Sequence, residues 1–231
     1  MATERQVEAT RNKLRNYKKR YLRKEYGSLD ESATRIMVNS FLTEVLGYAE
    51  LQEIKTEYRI RGEYADYVIQ VGRKKHFVVE VKSIQLDLNE KHLRQSLNYA
   101  ANEGIDWILL LNGRQVELFR VNFNKPIKST VVFSLDLLDK NDFKVAAEVL
   151  TLLTKKCVEK NELDDLWKRT SALAPVQIAK NIYSEDVVRL IRNSLKRETG
   201  IYFQIDDVAK AIYGIITNSV DFSRPRLKKL K

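Results

Sequence analysis

The sequence is poor in the residues that build covalent or thiolate-based sites. It has one cysteine, Cys157, and two histidines, His76 and His92, among 231 residues. A single thiol excludes a disulfide framework and any zinc site made from several cysteines. The distance between the histidines in the sequence excludes a zinc motif with both of them on one helical turn. The chemistry of the chain must therefore come from carboxylates, lysines and metal ions that prefer oxygen ligands.

Glycine and long apolar runs are also scarce. The eight glycines are scattered singly, and neither the P-loop pattern nor G-x-G-x-x-G occurs, which excludes a glycine-rich nucleotide-binding loop. No apolar run approaches the ~20 residues of a membrane span, and no signal peptide opens the chain. With 44% apolar residues the chain can bury a proper core. We therefore expect a soluble, cytoplasmic protein that does not contact a membrane.

The net charge of +10 is concentrated at the two ends of the chain. Residues 1–26 hold nine Lys or Arg and three acids, and residues 224–231 hold five Lys or Arg and no acid. Such ends predict binding to nucleic acid, because Lys and Arg displace counterions from phosphates. The alternative is a solvated helix and a frayed tail. The residues expected to contact nucleic acid are Lys18, Lys19, Arg20, Arg226, Lys228 and Lys229.

Hydrophobic periodicity predicts an α/β fold. Helices are expected over 3–26 and from a capping box at Ser28-Leu29-Asp30-Glu31 to Gly47, because apolar residues recur there at three- and four-residue spacing. Runs rich in Tyr, Ile and Val predict strands, two of which form a hairpin around residues 72–75. The predicted strands are 53–61, 64–71, 76–82, 105–111, 115–121 and 130–135, and the later helices are 89–103, 141–158, 161–170, 184–199 and 205–217, with a break at Pro175. The expected architecture is a mixed sheet flanked by helices, followed by an all-helical unit.

Three charged residues stand out on the predicted hairpin. Glu80 and Lys82 are two apart on an apolar strand and therefore share one face, and Asp66 lies across the turn at about the same height. Two converging carboxylates repel each other unless a cation such as Mg²⁺ joins them. Such a set suits metal-assisted phosphodiester hydrolysis, with the lysine orienting water or stabilising charge. The alternative is an ordinary ion-pair network. We expect both carboxylates to hold the Lys82 pKa up against the effect of burial.

These residues belong to a longer series of short motifs with a definite order. The series is Leu46-Gly47-Tyr48, Glu57-Tyr58, Asp66-Tyr67-Val68, Glu80-Val81-Lys82, Gln95 with Tyr99, Trp107 and Asn112-Gly113. Over about residues 28–122 it resembles the N-terminal nuclease domain of type I restriction enzyme R subunits, in the PD-(D/E)xK superfamily. The resemblance implies a restriction-endonuclease-like core and a restriction-type, Mg²⁺-dependent DNA endonuclease in which Mn²⁺ can substitute.

The resemblance also implies residue roles. Asp66 and Glu80 would be metal ligands, Lys82 the catalytic lysine, and Gln95 with Tyr99 the helix motif bordering the active site. Glu31 would join the outer shell of the metal, in competition with its place in the capping box. The chain departs from full R subunits in having no phosphate loop for an ATP-driven motor, which implies a free-standing relative or a separate motor or specificity subunit.

The sequence predicts four segments: a basic N-terminal helix at 1–27, the nuclease-like domain at 28–135, a helical domain at 140–222 and a basic tail at 223–231. The helical domain is expected to support a homodimer or to grip DNA. Two other functions stay open: a nucleic-acid-binding module that keeps the nuclease fold without turnover, and an interaction subunit whose basic ends bind RNA or a protein.

Overall fold

The structure, a computed structural model, describes residues 2–60 and 63–219. It divides into two compact units, Met1–Leu163 and Asp164–Lys231. The sequence placed this division near residue 140. The difference arises because α5 (Lys140–Thr151) packs on the sheet and on the N-terminal helix α1 (Glu4–Tyr21). The sequence shows that both helices are amphipathic, but not which partner each one covers.

The first unit is built on a six-stranded mixed sheet in the order β1-β2-β3-β4-β5-β6. The strands are β1 (Ile54–Ile60), β2 (Glu63–Val71), β3 (Lys74–Val81), β4 (Trp107–Leu111), β5 (Gln115–Asn122) and β6 (Lys128–Asp136). The pair β3 and β4 is parallel, and every other neighbouring pair is antiparallel. The predicted hairpin is confirmed as β2 and β3, so the charged residues of the motif lie near the middle of the sheet.

Helices cover the sheet. Two helices lie between α1 and β1: α2 (Glu31–Ser40), continued by a π-helical turn at Phe41–Val45, and α3 (Glu50–Glu53). Between β3 and β4 lie a 3₁₀ turn at Glu90–Leu93 and α4 (Arg94–Glu103), which ends at Gly104 in the left-handed conformation. The helix α4 packs across β2 to β5, and all five residues of β4 are buried, as the apolar run predicted.

The N-terminal helix is part of the core of the first unit. It ends at Tyr21, five residues before the predicted end, and a 3₁₀ turn follows at Lys24–Tyr26. Leu14 and Tyr17 are buried, and the Tyr17 hydroxyl donates to the carbonyl of Gly113 at 2.8 Å. The basic segment is therefore anchored by its apolar stripe.

The remaining chain is helical, as predicted. After α5 come α6 (Lys155–Val158), α7 (Glu162–Ala172), α8 (Pro175–Ile182), α9 (Glu185–Thr199) and α10 (Ile205–Thr217). The sequence predicted only a break at Pro175 and missed α8. Pro175 is the first residue of that helix, because proline is well tolerated in the first turn. The second unit has its own apolar core, made by Ala179, Tyr183, Val188, Val208, Ala209, Ile212 and Ile216.

Candidate active site

The strand β3 brings a carboxylate into the interior of the first unit. Glu80, its penultimate residue, is charged and yet only 6% exposed, and its neighbours on the strand are buried and apolar. Lys82 follows the strand, and its backbone N–H donates to the carbonyl of Leu111 at 2.9 Å, which continues the parallel pairing with β4. The backbone on both sides of Glu80 is therefore fixed by the sheet.

Asp66 is held against the same end of β3. The antiparallel pairing of β2 with β3 runs through Tyr67 opposite Val79. Beyond this pair, Asp66 Oδ2 accepts a hydrogen bond of 2.7 Å from the backbone N–H of Val81. The carboxylate thus satisfies a strand donor and is placed beside the segment that carries Glu80 and Lys82.

Both Glu80 oxygens have donors. Oε1 accepts from Lys82 Nζ and Oε2 from the hydroxyl of Ser96, each at 2.5 Å. Ser96 is fully buried on α4. These two bonds offset the cost of burying a charged carboxylate.

The pKa of Lys82 is raised above its ordinary value. Burial acts to lower it, but the hydrogen bond that Lys82 donates to Glu80 and the charges of Glu80, Glu31 and Asp66 together act more strongly in the opposite direction. The expected balance at Lys82 is confirmed. Three carboxylates from β2, β3 and α2 are therefore within electrostatic reach of this ammonium group.

Glu31 does not hold the capping-box position that the sequence predicted for it. The predicted capping box from Ser28 to Glu31 is wrong: Asp30 is the N-cap of α2, its side chain accepts from Ala33 N at 2.8 Å, and Glu31 is the first helical residue. A short acidic side chain directly before the helix caps it better than a serine two residues earlier. Glu31 is thereby released from capping.

An arginine that the sequence analysis did not select joins two of these acids. Arg35 Nη2 donates to Asp66 Oδ1 at 2.5 Å and to Glu31 Oε1 at 3.3 Å. The start of α2 is held to the end of β3 by two further bonds, from Ser83 Oγ to the carbonyl of Leu29 at 2.8 Å and from Ile84 N to Thr34 Oγ1 at 3.1 Å. The only sequence signal for Arg35 was its position one turn after Glu31.

The predicted helix motif divides between two environments. Gln95 is exposed, whereas Tyr99 is fully buried in the core with Val68 and Val78. The residue of α4 that contacts the site is Ser96, which shares the buried face of the helix with Tyr99. The structure thus brings Asp66, Glu80, Lys82 and Glu31 together and leaves Gln95 at the surface. Ser96 could have been found from its three-residue spacing to Tyr99.

The donor set suits a hard divalent cation. Mg²⁺ is commonly held by one or two carboxylates together with water and substrate phosphates, and Asp66 and Glu80 supply two carboxylates. In the part of the chain that the structure describes, no group of three or more His, Cys, Asp or Glu side chains could hold a metal ion. The third acid, Glu31, is tied to Arg35. Asp66 and Glu80 are therefore the residues that could bind a metal, with Glu31 next to them across the guanidinium.

The predicted nucleic-acid contacts have unequal surroundings. Lys18 donates to the carbonyl of Leu137 at 2.7 Å and lies 4.3 Å from the centre of the Phe143 ring, so its charge is used within the unit. Arg20 pairs with Glu44 at 3.0 Å, and Lys19 is exposed. The remaining three, Arg226, Lys228 and Lys229, lie outside the described residues, as does the predicted tail.

The first unit, a six-stranded mixed sheet flanked by helices, is consistent with a restriction-endonuclease-like core. Residues 30–132 match the family model described as type I restriction enzyme R protein N terminus. The resemblance predicted from the motifs is confirmed for this segment, which is a little less than half of the chain.

No curated protein matches the chain. A solved structure titled "cryoEM structure DrdV-DNA complex" aligns with 18% identity over 66% of this chain and 98% of its own, at a TM-score of 0.37. A likeness at that TM-score supports no inference about this chain.

Among residues 2–60 and 63–219, no helix has the length and apolar character needed to cross a membrane.

Proposed function

We propose that the first unit is a Mg²⁺-dependent DNA nuclease of the PD-(D/E)xK type, acting in restriction. The observation that carries the proposal is the convergence of Asp66 and Glu80 on Lys82 at the end of β3. The family match over residues 30–132 supports the restriction setting, and the net charge of +10 supports a polyanionic substrate.

The proposed roles follow from the contacts. Asp66 and Glu80 hold the metal, which when bound would neutralise charge on the attacked phosphate and lower the pKa of a bound water. Lys82 is kept protonated by its acidic neighbours. It is therefore suited to stabilising negative charge on phosphate oxygens or to orienting water, rather than to removing a proton.

Ser96 and the backbone of β3 are the supporting groups. Ser96 Oγ holds one Glu80 oxygen while the sheet fixes the Glu80 main chain, so the carboxylate has little freedom to rotate away. Val81 N–H restrains Asp66 in the same manner. Such restraint keeps the ligands in place before substrate arrives.

A second function has one specific observation in its favour. Each of the four carboxylate oxygens of Asp66 and Glu80 already accepts a hydrogen bond, from Arg35, Val81, Lys82 and Ser96. A closed network of this kind also fits a nucleic-acid-binding module that keeps the fold without turnover. Metal-dependent cleavage distinguishes the two functions.

The test is cleavage of plasmid and single-stranded DNA by purified protein in Mg²⁺, in Mn²⁺ and in chelator. We expect cleavage with either metal and none in chelator. Glu80→Gln and Lys82→Met should lower the rate by roughly 10² or more, as loss of a ligand or of a charge-stabilising group does. Glu117→Gln is the matched control, since Glu117 bonds a serine on the exposed part of β5 and β6. Metal-dependent cleavage that survives Glu80→Gln would point to a contaminant, and absence of cleavage would favour the binding module.

Partners are part of the same proposal. We infer that the chain acts with a separate motor or specificity subunit, as its resemblance to type I restriction R subunits over residues 30–132 implies. The homodimer through the second unit stays a prediction, and light scattering of the full chain at several concentrations measures it.

A further inference from the structure

We propose that Arg35 is the resident counterion of the carboxylate site, and that a metal ion can bind only after the guanidinium releases Asp66. This inference rests on the proposed function, because it assumes that Asp66 is a metal ligand. It gives Arg35 the role of a positioning residue that sets the metal affinity of the site.

Arg35 lies between two of the acidic residues of the site. A single nitrogen, Nη2, contacts carboxylates from two different elements: Asp66 on β2 at 2.5 Å and Glu31 on α2 at 3.3 Å. A cation between two acids is where a divalent ion would give the greatest relief of their repulsion. Arg35 therefore supplies this relief while no metal is bound.

The cluster of charged side chains has a net negative charge. Glu31, Asp66 and Glu80 contribute three negative charges, and Lys82 and Arg35 contribute two positive charges. With Arg35 in place the cluster carries one excess negative charge, which attracts a divalent cation weakly. Withdrawal of the guanidinium doubles that excess and frees Asp66 Oδ1 at the same time.

The contact between Arg35 and Asp66 is of a kind that can be released. Arginine binds carboxylates most strongly with two parallel N–H groups, yet here Nη2 makes both bonds. The buried Arg35 Nε has no hydrogen-bond partner among the described residues. The side chain also borders a groove of about 590 Å³ lined by Asn39, Thr56 and Tyr67, which gives the released guanidinium room to move.

Asp66 has a restraint that does not depend on Arg35. Its other oxygen remains bonded to the backbone N–H of Val81 at 2.7 Å, and the strand fixes its main chain. Removal of Arg35 should therefore remove a competing cation more than it disorders the ligand.

The experiment is a titration of Mn²⁺ into DNA-free protein, with free Mn²⁺ followed by electron paramagnetic resonance. Arg35→Gln should bind Mn²⁺ roughly tenfold more tightly than the wild type, which is the effect of one unit charge close to a divalent ion even with aqueous screening. Arg35→Lys keeps the charge without the planar fork and should bind with an affinity between the two. Asp66→Asn in either background should abolish the binding.

Arg11→Gln is the matched control. Arg11 has nearly the same side-chain exposure as Arg35, 34% against 36%, and it also pairs with a carboxylate at 2.5 Å, but on the outer surface of α1. The Mn²⁺ affinity of the Arg11→Gln variant should equal that of the wild type. Thermal unfolding with and without Mn²⁺ verifies folding, and Arg35→Gln should show the larger metal-induced rise in Tm. If Arg35→Gln does not fold, Arg35→Lys carries the test alone.

The outcomes separate the two proposals. Mn²⁺ binding that depends on Asp66 but is unchanged or weaker in the Arg35 variants would overturn the counterion role and leave the metal site intact. Binding that appears only after Arg35→Gln would support the counterion role in its strongest form. If neither the wild type nor any Arg35 variant shows Mn²⁺ binding that depends on Asp66, the metal site is overturned, and the role of Arg35 with it.

Discussion

Replacement of Ser96 by alanine tests whether the buried carboxylate of Glu80 depends on a single hydroxyl. Ser96 is fully buried, and its Oγ donates to Glu80 Oε2 at 2.5 Å. Alanine fits the same space, so the change removes a donor and little volume. Glu80 is 6% exposed, so water cannot readily replace the lost bond.

The expected loss follows from the energetics of charged hydrogen bonds. A bond to a charged group contributes about 1.5–3 kcal/mol, and leaving the buried partner unsatisfied costs a similar amount. We therefore expect Ser96→Ala to lower the free energy of unfolding of the first unit by about 2 kcal/mol. Glu80→Gln in the same chain should reduce that loss, because a neutral amide is cheaper to bury than a charge.

Urea unfolding followed by circular dichroism measures this change, and Ser134→Ala is the matched control. Ser134 Oγ also donates to a glutamate, Glu117, at 2.8 Å, but in an exposed position. Water can replace that bond, so its loss should cost only about 0.5 kcal/mol or less. If the two serine variants lose equal stability, the structural argument about the environment of Glu80 is refuted.

Three further predictions concern the ligands, a turn and the basic tail. Asp66→Asn should lower cleavage by roughly 10² or more while DNA affinity in filter binding stays level, because it removes a ligand but no basic residue; equal loss of both would mean that the fold was damaged. Gly113→Ala should lower the free energy of unfolding by about 1–3 kcal/mol, because Gly113 has φ +85° and an added Cβ would lie 3.0 Å from Met37 Cε. An unchanged Tm would contradict this. Deletion of residues 224–231 should flatten the slope of log affinity against log salt by roughly 2 if two phosphate contacts are lost, whereas an unchanged slope would confine DNA binding to the rest of the chain.

Much of the first unit could be predicted because its signals are local. The turn at Gly72 joins two runs rich in β-branched residues, and the continuous apolar run before Asn112 has the composition of a strand buried on both faces. The alternation of side chains along β3 placed Glu80 and Lys82 on one face. These features depend on residues within one or two elements, which a single sequence displays.

The errors arose where two local signals compete or where a distant partner decides. Ser28 and Asp30 are both good capping residues, and only the backbone geometry shows that Asp30 is the N-cap. The division near residue 140 missed that α5 packs on α1, with Thr151 Oγ1 donating to Thr10 Oγ1 at 2.9 Å. The amphipathic pattern of a helix indicates that one face will be buried, but it does not indicate which surface that face will pack against.

The convergence of the two acids and the lysine was predicted from the sequence, but the groups that support them were not. Asp66, Glu80 and Lys82 could be found because the hairpin register relates them directly. Arg35 and Ser96 contact these residues from two helices that lie on either side of the hairpin in sequence. No spacing rule relates either residue to Asp66 or Glu80, because packing of α2 and α4 on the sheet sets those contacts.

The most direct test of the central claim is an anomalous diffraction measurement on crystals of the protein grown with Mn²⁺. We expect an anomalous peak about 2.0–2.3 Å from carboxylate oxygens of both Asp66 and Glu80, the range for divalent ions on oxygen ligands. We also expect Arg35 Nη2 to have moved away from Asp66 Oδ1. Crystals that retain the Arg35–Asp66 contact at saturating Mn²⁺, with no peak at these carboxylates, would contradict the central claim.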